Sequence, residues 1–258
     1  MEMLLFLPAI EAFGLFLART SAMVVVAPVL GNATNMSGYK IALAVMIAGL
    51  LYVSIGKPLP AGVDELQYGL MVLREIVIGL FLGFTLSLIL IAAREAGELV
   101  GHEMGFMVGR EVDPISGVQS SLIATLYENL FLVVVLMLNG HHLLIRSLSD
   151  SFAAAPIGKV AMASGMAGTF EAMFSEMFRA GIVFAAPVLI FLIIVSVLIG
   201  ILSRAVPTLN VLELGFSMRL IVALGAMYLF APLLEPSMLR LFDSFSLWLN
   251  RGVAVIGK

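Results

Sequence analysis

The sequence predicts an all-α protein of the multispanning membrane type, built of long helical hairpins, and three observations carry that expectation. Hydrophobic residues make up 61% of the 258-residue chain and charged residues only 12%, with a mean hydropathy of +1.11. An ordinary soluble domain is nearer half apolar and a quarter charged. Several apolar runs reach or exceed the roughly 20 residues that a helix needs to cross a ~30 Å hydrocarbon core. Helix-ending groups punctuate those runs at Pro58 and Pro60, Asp113-Pro114, Pro156-Ile157-Gly158, Pro207, and Pro232 with Pro236.

Taken in order, apolar helices are expected at about 5 to 30, 39 to 56, 68 to 100, 117 to 149, 170 to 204 and 211 to 232. A weaker amphipathic helix should follow at about 236 to 252. The first run has Glu2 and no cation before Arg19, so it lacks the basic start of a cleaved signal peptide and should be retained. The third, fourth and fifth runs exceed a simple span, which allows tilt or extension beyond the bilayer. No fixed-period repeat interrupts the chain, and residues 1–258 are expected to form one unit. Lys40, Lys57, Arg94, Arg110, Arg146, Lys159, Arg204, Arg240 and Arg251 are spread over nearly every connection. The positive-inside rule needs asymmetry and finds little here, as it would for a protein not seated as a simple bundle across one bilayer.

The charge balance, 14 Lys and Arg against 17 Asp and Glu for a net of −3, offers no basic footprint for nucleic acid. Zero cysteines exclude disulfides, thiolate nucleophiles and cysteine metal sites. His102-Glu103 starts like H-E-x-x-H, but Phe106 stands where the second zinc ligand belongs. His141 and His142 are adjacent and diverge on a helix. Gly56-Lys57 runs into Pro58 without the glycines of a phosphate loop, and no G-x-S-x-G occurs. Neither catalysis nor a cofactor nor a metal is expected.

Charges inside apolar runs are the better signal, since one at the centre of a lipid-embedded helix costs ~2.5–3.5 kcal/mol on insertion scales. Arg19 lies deep in the first run and should be a buried link or part of an ion path. Arg74 and Glu75 open the third, where Glu75 is expected as a buried polar link or subunit contact and Arg74 is expected to snorkel to water. Arg94, Glu95 and Glu98 close the third run, either as a solvated helix end or as subunit contacts.

Next to them stands AGELVGHEMGFMVGR, which puts Gly97, Gly101, Gly105 and Gly109 at every fourth position. Gly79 and Gly83 repeat the spacing upstream. On a helix such glycines form one stripe that admits a neighbouring backbone, yet each costs ~1 kcal/mol relative to alanine, so the helix is easily undone. The segment 101–114 also mixes Met104, Phe106, Met107 and Val108 with His102, Glu103, Arg110, Glu111 and Asp113. Glycines that permit rearrangement and apolar groups that close a hole by dewetting suit a movable constriction; an ordinary extramembrane loop is the alternative.

The chain resembles the FliR-type family of flagellar export-gate subunits, called SctT or SpaR in virulence type III secretion systems. The resemblance rests on FLARTSAMVVVAPVLG with Arg19 and Pro28, YKIALAVMIAGLL, REIVIGLFLGF with Glu75 and Gly79 to Phe84, AGELVGHEMGF leading to Asp113-Pro114, LNGHHLLIRSLSDSF with Pro156-Ile157-Gly158 after it, and GILSRAVPTLNVLELGFSMRL. These pieces stand in order over nearly the whole chain. It implies a conduit without catalysis, joined to FliP-like and FliQ-like subunits, with a FlhB-like switch protein against it and unfolded flagellar proteins passing through. It also implies a bacterial inner-membrane location in the flagellar basal body, in contact with lipid, with part of the assembly raised toward the periplasm.

The family closes its pore with an apolar segment after the third long helix, which falls here on Met104, Gly105, Phe106, Met107 and Val108. Two departures stand out. Arg110 and Glu111 replace apolar residues of the family's plug, and the family's Arg-x-x-Pro-Gln reads Arg204-Ala-Val-Pro207-Thr208. Arg204, Pro207 and Asn210 match and are expected at a subunit contact or a plain helix cap. The flagellar version is expected over its virulence homologue. A small-solute secondary transporter using Arg19 and Glu75 as a coupling pair is the alternative of another class, and it would require paired half-repeats that the sequence lacks.

Overall fold

The computed structural model describes residues 2–27, 37–60, 62–105, 122–159, 165–205 and 211–256. Among the described residues there are seven helices and no strand. They are α1 (Glu2–Val26), α2 (Ser37–Ile55), α3 (Glu65–Glu103), α4 (Leu122–Met137), α5 (Gly140–Ala154), α6 (Met166–Ala205) and α7 (Val211–Ile256). Five are long and apolar enough to cross a membrane, or six spans if α4 and α5 are taken as one broken span.

Two stretches differ from the sequence expectation. The fourth run, expected as one helix, breaks at Leu138-Asn139 into α4 and α5, which are bent by 68°. Asn139 has φ 58° and ψ 34°, the left-handed region that asparagine tolerates better than most residues. Its N–H donates to the Leu136 carbonyl (3.1 Å) and its own carbonyl accepts from the N–H groups of His142 (2.9 Å) and Leu143 (3.3 Å). One residue therefore closes α4 and opens α5. At the other end of the chain, Pro232 and Pro236 end nothing, because both lie inside α7. A proline removes one backbone donor and crowds the carbonyl four residues back. The four-residue spacing confines both losses to one side of the helix, and spanning helices tolerate such interruptions where neighbouring groups take up the freed carbonyls.

The chain packs as two compact units. The first comprises residues 1–88, 136–174 and 244–258. In it α1 packs on α2, and Tyr52 of α2 meets the edges of Phe13 and Phe16 at 5.9 and 5.7 Å between ring centroids. Ala12, Leu15, Leu59 and Met71 form a buried cluster there, with Tyr52, Tyr68 and Ile157 packed against it. The last part of α7 buries Phe245, Trp248, Leu249 and Ile256 at helical spacing, which is the amphipathic pattern read at 236 to 252.

The second unit comprises residues 89–135 and 175–243. Along α4, Ile123, Ala124, Tyr127, Phe131 and Val135 are buried at intervals of one, three and four. Gly97 of α3 faces this stripe so closely that a Cβ on it would lie 2.5 Å from the Ala124 Cα and 2.8 Å from the Ile123 carbonyl oxygen. Gly181 of α6 approaches the Ala92 carbonyl in the same way, at 3.1 Å. Tyr127 meets Phe184 edge to face at 5.4 Å. Here the absence of side chains, rather than their interlocking, sets the distance between backbones.

Replacing Gly97 by leucine should therefore cost at least the ~1–3 kcal/mol of an overpacked site, because the obstacle is backbone and cannot rotate away. Gly49→Ala on α2, where a Cβ meets nothing within 4 Å, should be neutral or stabilising by up to ~1 kcal/mol. Thermal unfolding of detergent-purified variants, followed by the monodisperse fraction on size exclusion, distinguishes the two; equal melting would contradict the close approach.

Candidate functional site

The site grows from a stripe on α3. Glu75, Gly79, Gly83 and Ser87 stand four residues apart and so share one face of the helix. A Cβ on Gly79 would collide with the Arg19 carbonyl and lie 2.9 Å from the Ala22 Cβ, and one on Gly83 would lie 2.7 Å from the Met23 carbonyl oxygen. The Ser87 hydroxyl continues the line by donating to the Val26 carbonyl at 2.9 Å. These small residues let α1 lie directly on α3. Backbone contact at 79 and 83 brings the next residue of the stripe, Glu75, within reach of the Arg19 side chain.

Arg19 and Glu75 are both fully buried and form an ion pair. Arg19 Nε donates to Glu75 Oε2 at 2.5 Å, and Nη2 lies equally close to the same oxygen. The rest of the guanidinium turns to the end of α5, where Nη1 donates to Ser151 Oγ (3.0 Å) and Nη2 to the Ala155 carbonyl (2.8 Å). Ser151 can accept because its own hydroxyl proton goes to the Leu148 carbonyl at 2.7 Å. The other carboxylate oxygen, Glu75 Oε1, accepts from Arg74 Nη1 at 3.0 Å, and that nitrogen also lies 3.3 Å from the Pro156 carbonyl. Phe152 stacks on Phe16 at 4.2 Å between ring centroids and lies 4.0 Å from the Arg19 guanidinium carbon.

Two guanidinium groups thus share one carboxylate in the interior of the unit. Both also face carbonyl oxygens at the C-terminal end of α5, those of Ala155 and Pro156, at the negative end of a helix. Both carboxylate oxygens are engaged, so the arrangement clamps three segments together rather than presenting an open ligand site. Among the described residues no group of three or more His, Asp or Glu is placed to hold a metal ion.

The other residues singled out in the sequence fall elsewhere. Arg94 is half-exposed on α3 and lies 3.7 Å from Glu128 of α4; Glu95 is exposed and Glu98 half-buried. Arg204 is exposed in the last turn of α6, while Pro207 and Asn210 lie outside the described residues. Of the glycines, Gly101 is buried in α3, but the helix stops at Glu103 and Gly105 has φ 85°. Gly97 and Gly101 are therefore helical, and Gly105 serves as the left-handed stop that an L side chain rarely adopts. Its N–H donates to the His102 carbonyl at 3.0 Å, and Met104, fully buried, donates to Val100 at 3.0 Å. Phe106, Met107, Val108 and Gly109 lie outside the described residues, as do Arg110 to Pro114.

Residues 10–245 match the family described as "Bacterial export proteins, family 1". The chain belongs to that family. Among its relatives, the flagellar biosynthetic protein FliR of Bacillus subtilis is 32% identical over 82% of this chain and 83% of that protein. FliR of Escherichia coli is 32% identical over 88% and 87%. The surface presentation of antigens protein SpaR of Shigella sonnei is 26% identical over 78% of each.

Within this export-family chain, sequence reasoning missed three members of the cluster, namely Arg74, Ser151 and Phe152, together with the carbonyls of Ala155 and Pro156. Arg74, expected to snorkel, has a side chain only 6% exposed. Neighbouring residues on a helix point about 100° apart, so Arg74 and Glu75 can both be buried only where α3 is covered on more than one side. The usable signal on α5 was Leu144, Ser147, Leu148, Ser151 and Phe152, a helical stripe that mixes hydroxyls with apolar residues.

Removing one partner of a buried pair costs about 3–5 kcal/mol because the other charge is left without compensation. Glu75→Ala removes the carboxylate that both guanidinium groups contact and should be the most damaging change. Arg74→Ala leaves a neutral Arg19–Glu75 pair and should be the mildest. Arg19→Lys should rescue little, since an ammonium cannot reproduce the fork that reaches Glu75, Ser151 and Ala155 together. Folded yield and melting temperature in detergent test this order, and an Arg74→Ala as damaging as Glu75→Ala would contradict it.

Proposed function

We propose that the chain is a non-enzymatic core subunit of the flagellar type III protein export gate. In this reading it forms, with FliP-like and FliQ-like subunits, the channel for unfolded flagellar proteins, and a FlhB-like switch protein lies against it. The observation that carries the reading is the family match over residues 10–245 together with near-full-length likeness to two proteins named flagellar biosynthetic protein. The likeness to SpaR supports a virulence gate as the second reading, at lower identity.

The physical character of the chain agrees with such a role. Five helices are long and apolar enough to span a membrane, and α6 and α7 keep large apolar side chains exposed, among them Ile190, Val197, Ile201 and Tyr228. Surfaces of that kind require lipid or other subunits to cover them. The proposed location is the bacterial inner membrane within the flagellar basal body, with part of the assembly raised toward the periplasm. The proposed organisation is one export-gate unit over residues 1–258, with residues 101–114 as the pore plug. Helix α3 ends at Glu103, so regular helix stops within the first three residues of this segment.

Purification of the tagged full chain from its native host at natural expression, in mild detergent, should recover one large complex containing FliP-like and FliQ-like proteins. A lone monomer or homodimer from membranes where those proteins are present would overturn the gate. In the verified assembly, replacing Met104, Phe106 and Met107 by alanine should leave the complex intact but let ions leak across the membrane. Unchanged conductance would remove the plug from the proposal.

A further inference from the structure

A cavity of about 470 Å³ opens beside the end of α5, within the first unit. Its size falls in the roughly 300–1,000 Å³ range of small-molecule sites. Phe16, Leu59 and Phe152, all buried, supply apolar walls, while Lys57, Ser149 and Asp150 supply a polar side. Lys57 and Asp150 are exposed, and among the described residues neither takes part in an ion pair. One unpaired cation and one unpaired anion therefore line the same cavity without neutralising each other.

The depth of the cavity follows from the helices that end at it. The spanning segment Gly38–Ile55 stops at Ile55, two residues before Lys57. The broken span formed by α4 and α5 stops at Ala154, four residues after Asp150. Ile55 and Ala153 both line the cavity. A candidate span and the bent α4–α5 pair thus both end beside the cavity, and lysine is favoured at the ends of spanning segments.

We propose that this cavity binds one molecule of phosphatidylethanolamine. Lys57 takes the phosphate, Asp150 accepts from the ammonium, and the upper acyl chain lies on Phe16, Leu59 and Phe152. The charge pair selects the headgroup. Choline carries no N–H to donate to Asp150, and phosphatidylglycerol brings a phosphate without a cation to balance that carboxylate. The inference rests on the membrane location of the chain and not on its role in export.

The test uses the full chain in its native complex, placed in nanodiscs with photoactivatable phosphatidylethanolamine, phosphatidylcholine or phosphatidylglycerol, with crosslinks mapped to peptides. The ethanolamine lipid should label peptides containing 55–60 and 149–158 about fivefold more than the choline lipid, the factor that ~1 kcal/mol of a partly exposed charged contact supplies. Asp150→Asn should reduce ethanolamine labelling to the choline level, and Asp150→Lys should make phosphatidylglycerol the preferred lipid. Equal labelling by all three lipids, or no change in the Asn variant, overturns the proposal. Loss of labelling on adding water-soluble glycerophosphoethanolamine also overturns it, because the headgroup alone would then fill the cavity. A chain recovered without FliP-like partners that still labels selectively would count against the export reading and leave the lipid site standing.

Discussion

The Arg19–Glu75 contact is the constraint on which the first unit depends. A guanidinium and a carboxylate removed from water lose several kcal/mol of solvation each, and only short, well-directed contacts return it. Arg19 meets that requirement by turning one edge of its fork to Glu75 and the rest to Ser151 and Ala155. The pair therefore fixes more than itself. It sets the rotation of α1 about its axis, the register of α1 against α3, and the position at which α5 must end.

Glycine makes that contact geometrically possible. With side chains at positions 79 and 83 the two helix axes would separate, and Arg19 would no longer reach its acceptor at 2.5 Å. The intrinsic cost of ~1 kcal/mol per glycine in a helix interior is offset by burial and by the ion pair that the approach creates. In the second unit Gly97 and Gly181 use the same device to bring backbones together. At Gly105 glycine has a third use, ending α3 in a left-handed turn.

Much of this was legible in the sequence, and the failures have physical causes. Apolar run length marked the helices, because a chain with so little polar surface must satisfy its backbone internally. Arg19 could be singled out because no helix end lies near enough for it to snorkel. Arg74 was misread because a charge one residue from Glu75 and near a helix start looks solvated, and only the tertiary partner at Pro156 shows otherwise. The break at Asn139 was hidden because Asn-Gly inside an apolar run reads as a small polar interruption, while its left-handed backbone is a local choice that hydropathy does not register. The prolines of α7 misled in the opposite direction: a punctuation rule drawn mostly from soluble helices was applied to a long apolar one. The plug segment differs again, since its glycine spacing and apolar residues were readable and Phe106 to Val108 lie outside the described residues.

An ionisable pair inside a membrane protein is by default a functional hypothesis, and the coupling pair of a small-solute transporter is the obvious form of it. The geometry argues for a different use. A coupling carboxylate has to exchange its partner, so it needs an oxygen that faces a path to water or to the transported ion. Glu75 has none to spare: Oε2 accepts from Arg19, Oε1 accepts from Arg74, and the side chain is fully buried. Arg19 is equally engaged, with donors on Glu75, Ser151 and the Ala155 carbonyl and its face against Phe152. Moving a proton or an ion onto Glu75 would require displacing Arg19 or Arg74, and Arg19 is itself tied to the end of α5. A group held in that way is suited to keeping its unit in one shape while other parts of an assembly move.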